Sequence, residues 1–243
     1  MKIDLAAIFA DARALWHARR DLIMRIAPPF LFLPPFAGAL LTPDPATPPV
    51  DASTDPAAAQ AAMLDILASA IPSYLVTLAI GAIGTAALYQ LLLRPEATVG
   101  QTLRLALPRA LLLFLTMLAV QVGFFLGLLL LIVPGIYFYG RSFVSGPALI
   151  AERIDNPLQA VARSLELTRG NSWTLAFAGI AIMFGANAVI LVIGDIRAVA
   201  GDGPVLTAIV YAAAAAVSMA ATIVELLFRV ACYRRLAGSK SGT

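Results

Sequence analysis

The chain has 243 residues, of which 60% are hydrophobic and 13% charged, with a formal net charge of +3. Soluble domains carry about 25% charged residues, so this balance, with a mean hydropathy of +0.88, excludes a water-covered globule and makes lipid the main solvent. The single cysteine, Cys232, excludes an intrachain disulfide and a thiolate metal cluster, and no basic patch interleaved with aromatics offers a nucleic-acid surface.

The N-terminal stretch from Met1 to Arg20 carries acids and arginines among its apolar residues, unlike the uninterrupted core of a secretory signal peptide. It is expected to belong to the mature protein. Leu5, Ile8, Phe9, Ala12, Leu15 and Trp16 recur at helical spacing, which predicts an amphipathic helix within residues 1–21. A crossing of the hydrocarbon core needs about 20 apolar residues. The first is predicted over Leu22–Leu41, kinked or partly irregular at Pro28-Pro29 and Pro34-Pro35. Residues 42–60 are dominated by a proline- and aspartate-rich stretch and read as an exposed loop. The second crossing is predicted over Pro72–Leu93, after an interfacial lead-in that Asp65 and Pro72 set apart. The third is predicted over Ala110–Val133 and the fourth over Ile136–Ala151, joined by a Pro134-Gly135 turn. The fifth is predicted over Trp173–Ile193 and the sixth over Pro204–Phe228. The fourth is short and contains Arg141, so a re-entrant hairpin there is the alternative. The whole chain thus reads as one all-α membrane domain, a polytopic bundle of about six spans.

Arginine placement sets the expected orientation. The N-terminus, the connectors 94–109 and 152–169, and the C-terminal tail hold nearly all the Lys and Arg. The opposite side holds Arg197 with Asp44, Asp51, Asp55 and Asp202. Translocating basic loops is unfavourable, so both termini are expected in the cytoplasm.

Two connectors read as amphipathic helices lying on the cytoplasmic interface, at 94–108 and 156–170. In the second, Asn156 is a good N-cap, Pro157 suits the first helical position, and Gly170 suits a left-handed end. Leu158, Val161, Ala162 and Leu165 predict its apolar stripe. The first connector repeats the plan at an offset of 62 residues, as from Pro95 to Pro157 and from Thr102 to Ser164. A threefold repeat of flat helix plus hairpin follows as an expectation. Arginines on such helices would face anionic lipid headgroups, so membrane lipids are the expected partners.

The segment from Leu128 to Glu152, followed by Ala160 to Trp173, resembles the bacterial membrane-domain family associated with glycerophosphoryl diester phosphodiesterases. Pro134, Gly135, Arg141, Glu152, Arg163, Ser164, Leu167, Thr168 and Gly170 carry the likeness. The resemblance implies a multi-pass inner-membrane protein of undefined role. No soluble segment here could hold a catalytic barrel of about 250 residues, so no phosphodiesterase activity is carried over.

The residues themselves offer little chemistry. His17 stands alone on the polar face of the N-terminal helix, and no phosphate loop, two-histidine metal motif, catalytic constellation or cofactor site is present. Gly123 and Gly127 read as a close-packing device. Arg141 and Glu225 are the exceptions, since ionisable groups inside spans seek partners. Arg141 lies about 16 Å along the helix from Glu152, and Glu225 about 14 Å from Arg234, at 1.5 Å per residue. Similar depths predict an Arg141–Glu225 pair between the fourth and sixth spans, with a local Glu225–Arg229 pair as the alternative. A non-catalytic module organising lipids or partner proteins is the leading expectation. A small transporter or lipid-handling protein built on the intramembrane pair is the other, and a polar cavity would favour lipid handling.

Overall fold

A computed structural model describes residues 3–41, 56–94, 98–200 and 203–238, and it is an all-α helical bundle. Helix α1 (Leu5–Ala27) starts where the Asp4 carboxylate accepts the Ala6 amide at 3.0 Å. Pro28 and Pro29 lack amide donors and would collide with the preceding turn of an α-helix. The chain accommodates them by widening into a π turn (Pro28–Phe32), then resumes as α2 (Leu33–Leu41). Helix α3 (Pro56–Leu93) runs straight through Pro72. A capping box between Thr98 and Gln101 starts α4 (Val99–Leu130), which includes Pro108. Then come α5 (Ile132–Arg141), α6 (Ser145–Ala151), α7 (Pro157–Leu167), α8 (Ser172–Ala200) and α9 (Pro204–Gly238).

The described residues hold five helical segments long and apolar enough to cross a membrane: Leu5–Leu41, Ile71–Leu93, Val99–Leu130, Ser172–Asp195 and Pro204–Gly238. The fourth of the six expected crossings is not one helix. Its place is taken by α5 and α6, separated by a turn at Ser142–Val144, and neither reaches the length of a span. Together they shadow α4 in reverse. Gly135 lies against Gly127, and further down the Arg109 guanidinium donates to the Ile154 carbonyl at 2.9 Å.

Packing is uneven along the bundle. One end is a dense core where Ile8, Ile23 and Ile26 of α1, Tyr89 and Leu91 of α3, Leu113 of α4 and Leu149 of α6 pack with Phe228 and Val230 of α9. Near it Arg235 of α9 pairs with Asp11 of α1, Arg234 donates to the Leu92 carbonyl of α3, and Arg109 of α4 pairs with Asp155 just before α7. The other end is thin, and its large apolar side chains stand exposed, among them Leu129, Leu191 and Val205. In lipid such exposure costs nothing, because the hydrocarbon is as apolar as the side chain.

The interfacial helices depart from expectation in instructive ways. The helix read at 94–108 is not separate, because Val99 onward continues into the span. The N-terminal helix likewise runs past residue 21 to Ala27. Helix α7 has the caps predicted: the Asn156 side chain accepts the Leu158 amide at 2.9 Å, and Gly170 sits at φ 87°. Its buried stripe is Ala160, Val161, Ser164 and Leu167, rotated from the one predicted, and Leu158 and Ala162 are exposed. The rotation brings two hydroxyls inward, where they have work to do below. Thr102 and Ser164 are both fully buried, as a repeat would require, yet the caps at Thr98 and Asn156 are not repeat-equivalent. Of the loop expected at 42–60, residues 42–55 fall outside the described residues, and Pro56 to Gln60 instead begin α3.

Candidate functional site: a polar-floored cavity

A cavity of about 230 Å³ lies among α3, α4, α5, α6, α8 and α9. Its depth follows α3 from Tyr89 to Tyr74, fifteen residues or about 22 Å of helix. The floor is polar. Glu225 and Arg229, one turn apart on α9, form an ion pair with Arg229 Nη2 2.6 Å and Nε 3.1 Å from Glu225 Oε1. The Tyr139 hydroxyl, from α5, donates to the same oxygen at 3.0 Å. Glu225 Oε1 thus takes three donors, while Oε2 has no protein partner among the described residues. Tyr89 is fully buried and reaches the pair from α3. Thr85, Thr116 and Ser145 complete the floor.

Neighbouring residues hold this floor in place. The Arg229 guanidinium sits 4.8 Å from the centre of the Phe143 ring, a cation–π contact. Phe143 in turn meets Tyr139 and Phe228 edge-on. Gly146 and Gly179 are small by necessity. A Cβ on Gly146 would lie 2.8 Å from the Tyr89 ring, and one on Gly179 would lie 2.7 Å from the Tyr139 hydroxyl. The walls above are mostly apolar, with Leu78, Met117, Val120, Phe124, Ile180 and Met183, and are interrupted by Gln121 and Thr222. At the rim Tyr74 and Met183 are exposed. A polar floor beneath apolar walls is the shape of an amphiphile's environment, and 230 Å³ holds roughly seven waters' worth of ligand at about 30 Å³ each.

Arg141 takes no part in it. Arg141 and Glu225 engage separate partners, and the alternative Glu225–Arg229 pair is the one formed. The Arg141 guanidinium donates to the Leu165 carbonyl near the C-terminal end of α7 and to the Tyr137 hydroxyl at 3.1 Å. A cation at a helix C-terminus meets the negative end of the backbone dipole. The Arg141 carbonyl in turn accepts from Ser164 Oγ at 2.8 Å and from Thr168 Oγ1 at 2.9 Å. Ser164 Oγ also accepts the Val144 amide at 3.1 Å, satisfying a donor freed by the break between α5 and α6.

Of the remaining residues singled out from the sequence, Glu152 and Arg163 serve the same junction, the glycines serve the α4–α5 contact, and His17 serves neither. Glu152, ending α6, accepts from Arg163 Nε at 2.9 and 3.0 Å and from the Tyr233 hydroxyl at 3.1 Å, tying α6, α7 and α9. That carboxylate holds the Arg163 guanidinium above its ordinary pKa. Pro134 and Gly135 open α5, where a Cβ on Gly135 would strike α4 at Leu128. Gly123 and Gly127 pack against Phe138 and Gly135, as a close-packing device should. His17 accepts only a long contact from Arg13, at 3.4 Å. These residues build a scaffold, and the cavity is elsewhere.

Sequence reasoning missed Tyr89, Tyr139, Thr85 and Thr116, which vanish inside apolar runs. A signal was present: Thr222, Glu225 and Arg229 fall at i, i+3 and i+7, and Thr85 and Tyr89 at i, i+4, so each set shares one helix face. Among the described residues no group of three or more His, Cys, Asp or Glu side chains could hold a metal ion. Comparison of the chain with models of protein families, with curated proteins and with solved structures gave no match.

Proposed function

We propose that this chain is a lipid-handling protein of the bacterial inner membrane that takes the polar end of an amphiphile into the Glu225–Arg229 cavity. The carrying observation is the cavity itself, with charge and hydroxyls at its floor and apolar side chains above. Intramembrane ionisable groups are costly and signal a ligand or pathway unless they are structural. Glu225 Oε2 is open to a donor, so the best ligand carries a hydroxyl or ammonium headgroup. The volume suits that headgroup alone, leaving the acyl chains between the walls and the surrounding lipid.

The arginine-rich dense end is the cytoplasmic side in this reading, with both termini inside and Arg13, Arg19 and Arg20 of α1 near anionic headgroups. The residues that carry the resemblance to the phosphodiesterase membrane-domain family serve the α4–α5 contact and the α5–α7 junction, so that likeness supports an architecture, and the cavity supports the function. Native mass spectrometry of protein released from its membrane tests the proposal. A retained lipid is expected on the wild type and its loss from Thr116→Trp, which fills the floor. The exposed control Leu111→Trp should keep the lipid. Equal lipid on all three proteins would overturn the proposal.

A further inference from the structure

The α4–α5 hairpin ends in a tip unlike any other turn among the described residues. From Val122 to Gly135 no residue has a polar side chain. The tip side chains are also bare: Leu129 is 86% exposed, Leu130 76%, Leu131 66%, Ile132 68% and Val133 60%. Every other connection between long helices carries charge or amide groups, such as Asp202 after α8, Arg94 after α3, and Asp155 with Asn156 before α7. A turn that emerged into water would expose this leucine cluster at a cost of about 25 cal/mol per Å².

The height of the tip can be read against α8. Gly140 lies against Ser172 and Ala176, and the Tyr137 ring lies 5.8 Å from that of Trp173. Leu131 is nine residues from Gly140, so the tip stands opposite about Met183. From Trp173, which the sequence marks as an interfacial aromatic, that is ten residues, or about 15 Å at 1.5 Å per residue. The hydrocarbon core is about 30 Å thick. Helix α8 continues past this level for another twelve residues to Asp195, its first acidic residue. The α4–α5 tip therefore stops near the middle of the layer that α8 crosses.

The backbone of the turn suits such a place. Leu131 is the single residue between the two helices. Its amide donates to the Gly127 carbonyl at 3.0 Å, and its own carbonyl accepts the Gly135 amide at 3.5 Å. Pro134 has no amide to satisfy. In hydrocarbon each unpaired backbone group costs several kcal/mol, so a one-residue turn with a proline in the next helix keeps that number small.

We infer that α4 and α5 form a re-entrant hairpin whose leucine tip is solvated by acyl-chain ends at the bilayer midplane, entering and leaving on the arginine-rich side. The chain then crosses the membrane fully only with Leu5–Leu41, Ile71–Leu93, α8 and α9, and both termini stay on one side. The test uses the full chain in oriented proteoliposomes, with Cys232→Ala as background and Leu131→Cys or Leu129→Cys as probes. Gln159→Cys reports the arginine-rich side and Gly203→Cys the opposite side. Expected is labelling of each control from its own side by an impermeant maleimide, and loss of labelling at the tip from both. A permeant fluorophore on the tip should be quenched more strongly by nitroxides near the acyl-chain ends than by nitroxides near the headgroups. Tip labelling from the Gly203 side would make the hairpin a full crossing, and from the Gln159 side a surface element. Absence of quenching would mean that protein covers the tip, and any of these three results overturns the inference.

Discussion

Ser164→Ala isolates the bond that repairs the break between α5 and α6. Ser164 Oγ accepts from the Val144 amide and donates to the Arg141 carbonyl, and both Ser164 and Val144 are fully buried. Removing it leaves the Val144 amide with no acceptor, while the Arg141 carbonyl keeps Thr168 Oγ1 at 2.9 Å. A buried unsatisfied donor costs about 1–3 kcal/mol, whereas a lost bond whose acceptor stays paired costs about 1 kcal/mol or less. Ser164→Ala should therefore cost about 1–3 kcal/mol and Thr168→Val clearly less. The double variant should cost more than the two together, because only there does the Arg141 carbonyl lose both donors. Unfolding by SDS in mixed micelles, followed by the fluorescence of nearby Trp173, measures all three. Thr168→Val costing as much as Ser164→Ala, or strict additivity, would refute the assignment.

Gly140→Ala should destabilise by about 1–3 kcal/mol, since its Cβ would lie 2.0 Å from the Ser172 carbonyl oxygen, whereas Gly185→Ala, with open space around it, should be neutral or stabilising in the same unfolding assay. Glu152→Gln weakens the tie among α6, α7 and α9 by about 1 kcal/mol, because Arg163 and Glu152 are partly exposed. High salt should shrink the gap from wild type by weakening the native pair. The Cys232 thiol, fully buried, should resist a permeant maleimide in the folded protein and react once SDS unfolds it. Prompt labelling without SDS would show that α9 is not packed as described.

What could be read from the sequence was local or compositional. Asn156, Pro157 and Gly170 mark α7 because caps and a left-handed end act within a few residues. The spans follow from the lengths of apolar runs. Proline was an uneven guide: the Pro28-Pro29 pair widens the helix into a π turn, an irregularity the sequence led one to expect, whereas Pro34-Pro35, Pro72 and Pro108 sit inside unbroken helices, where packing and lipid outweigh the lost hydrogen bond. The partner of Glu225 was decided by helix spacing, which sequence shows, against bundle geometry, which it does not. Equal depth placed Arg141 and Glu225 at one level, yet azimuth turned Arg141 toward α7. The cavity floor stayed hidden because Tyr89 and Tyr139 come from distant segments and read as ordinary aromatics in apolar helices.

Photocrosslinking tests the central claim most directly. A phospholipid with a diazirine on an ethanolamine headgroup, added to membranes holding the intact protein, should attach to α3 around Thr85–Tyr89 and to α9 around Thr222–Arg229, with unlabelled lipid competing. Attachment confined to the outward-facing side chains of α8, such as Leu191, would contradict the claim that the cavity receives a headgroup.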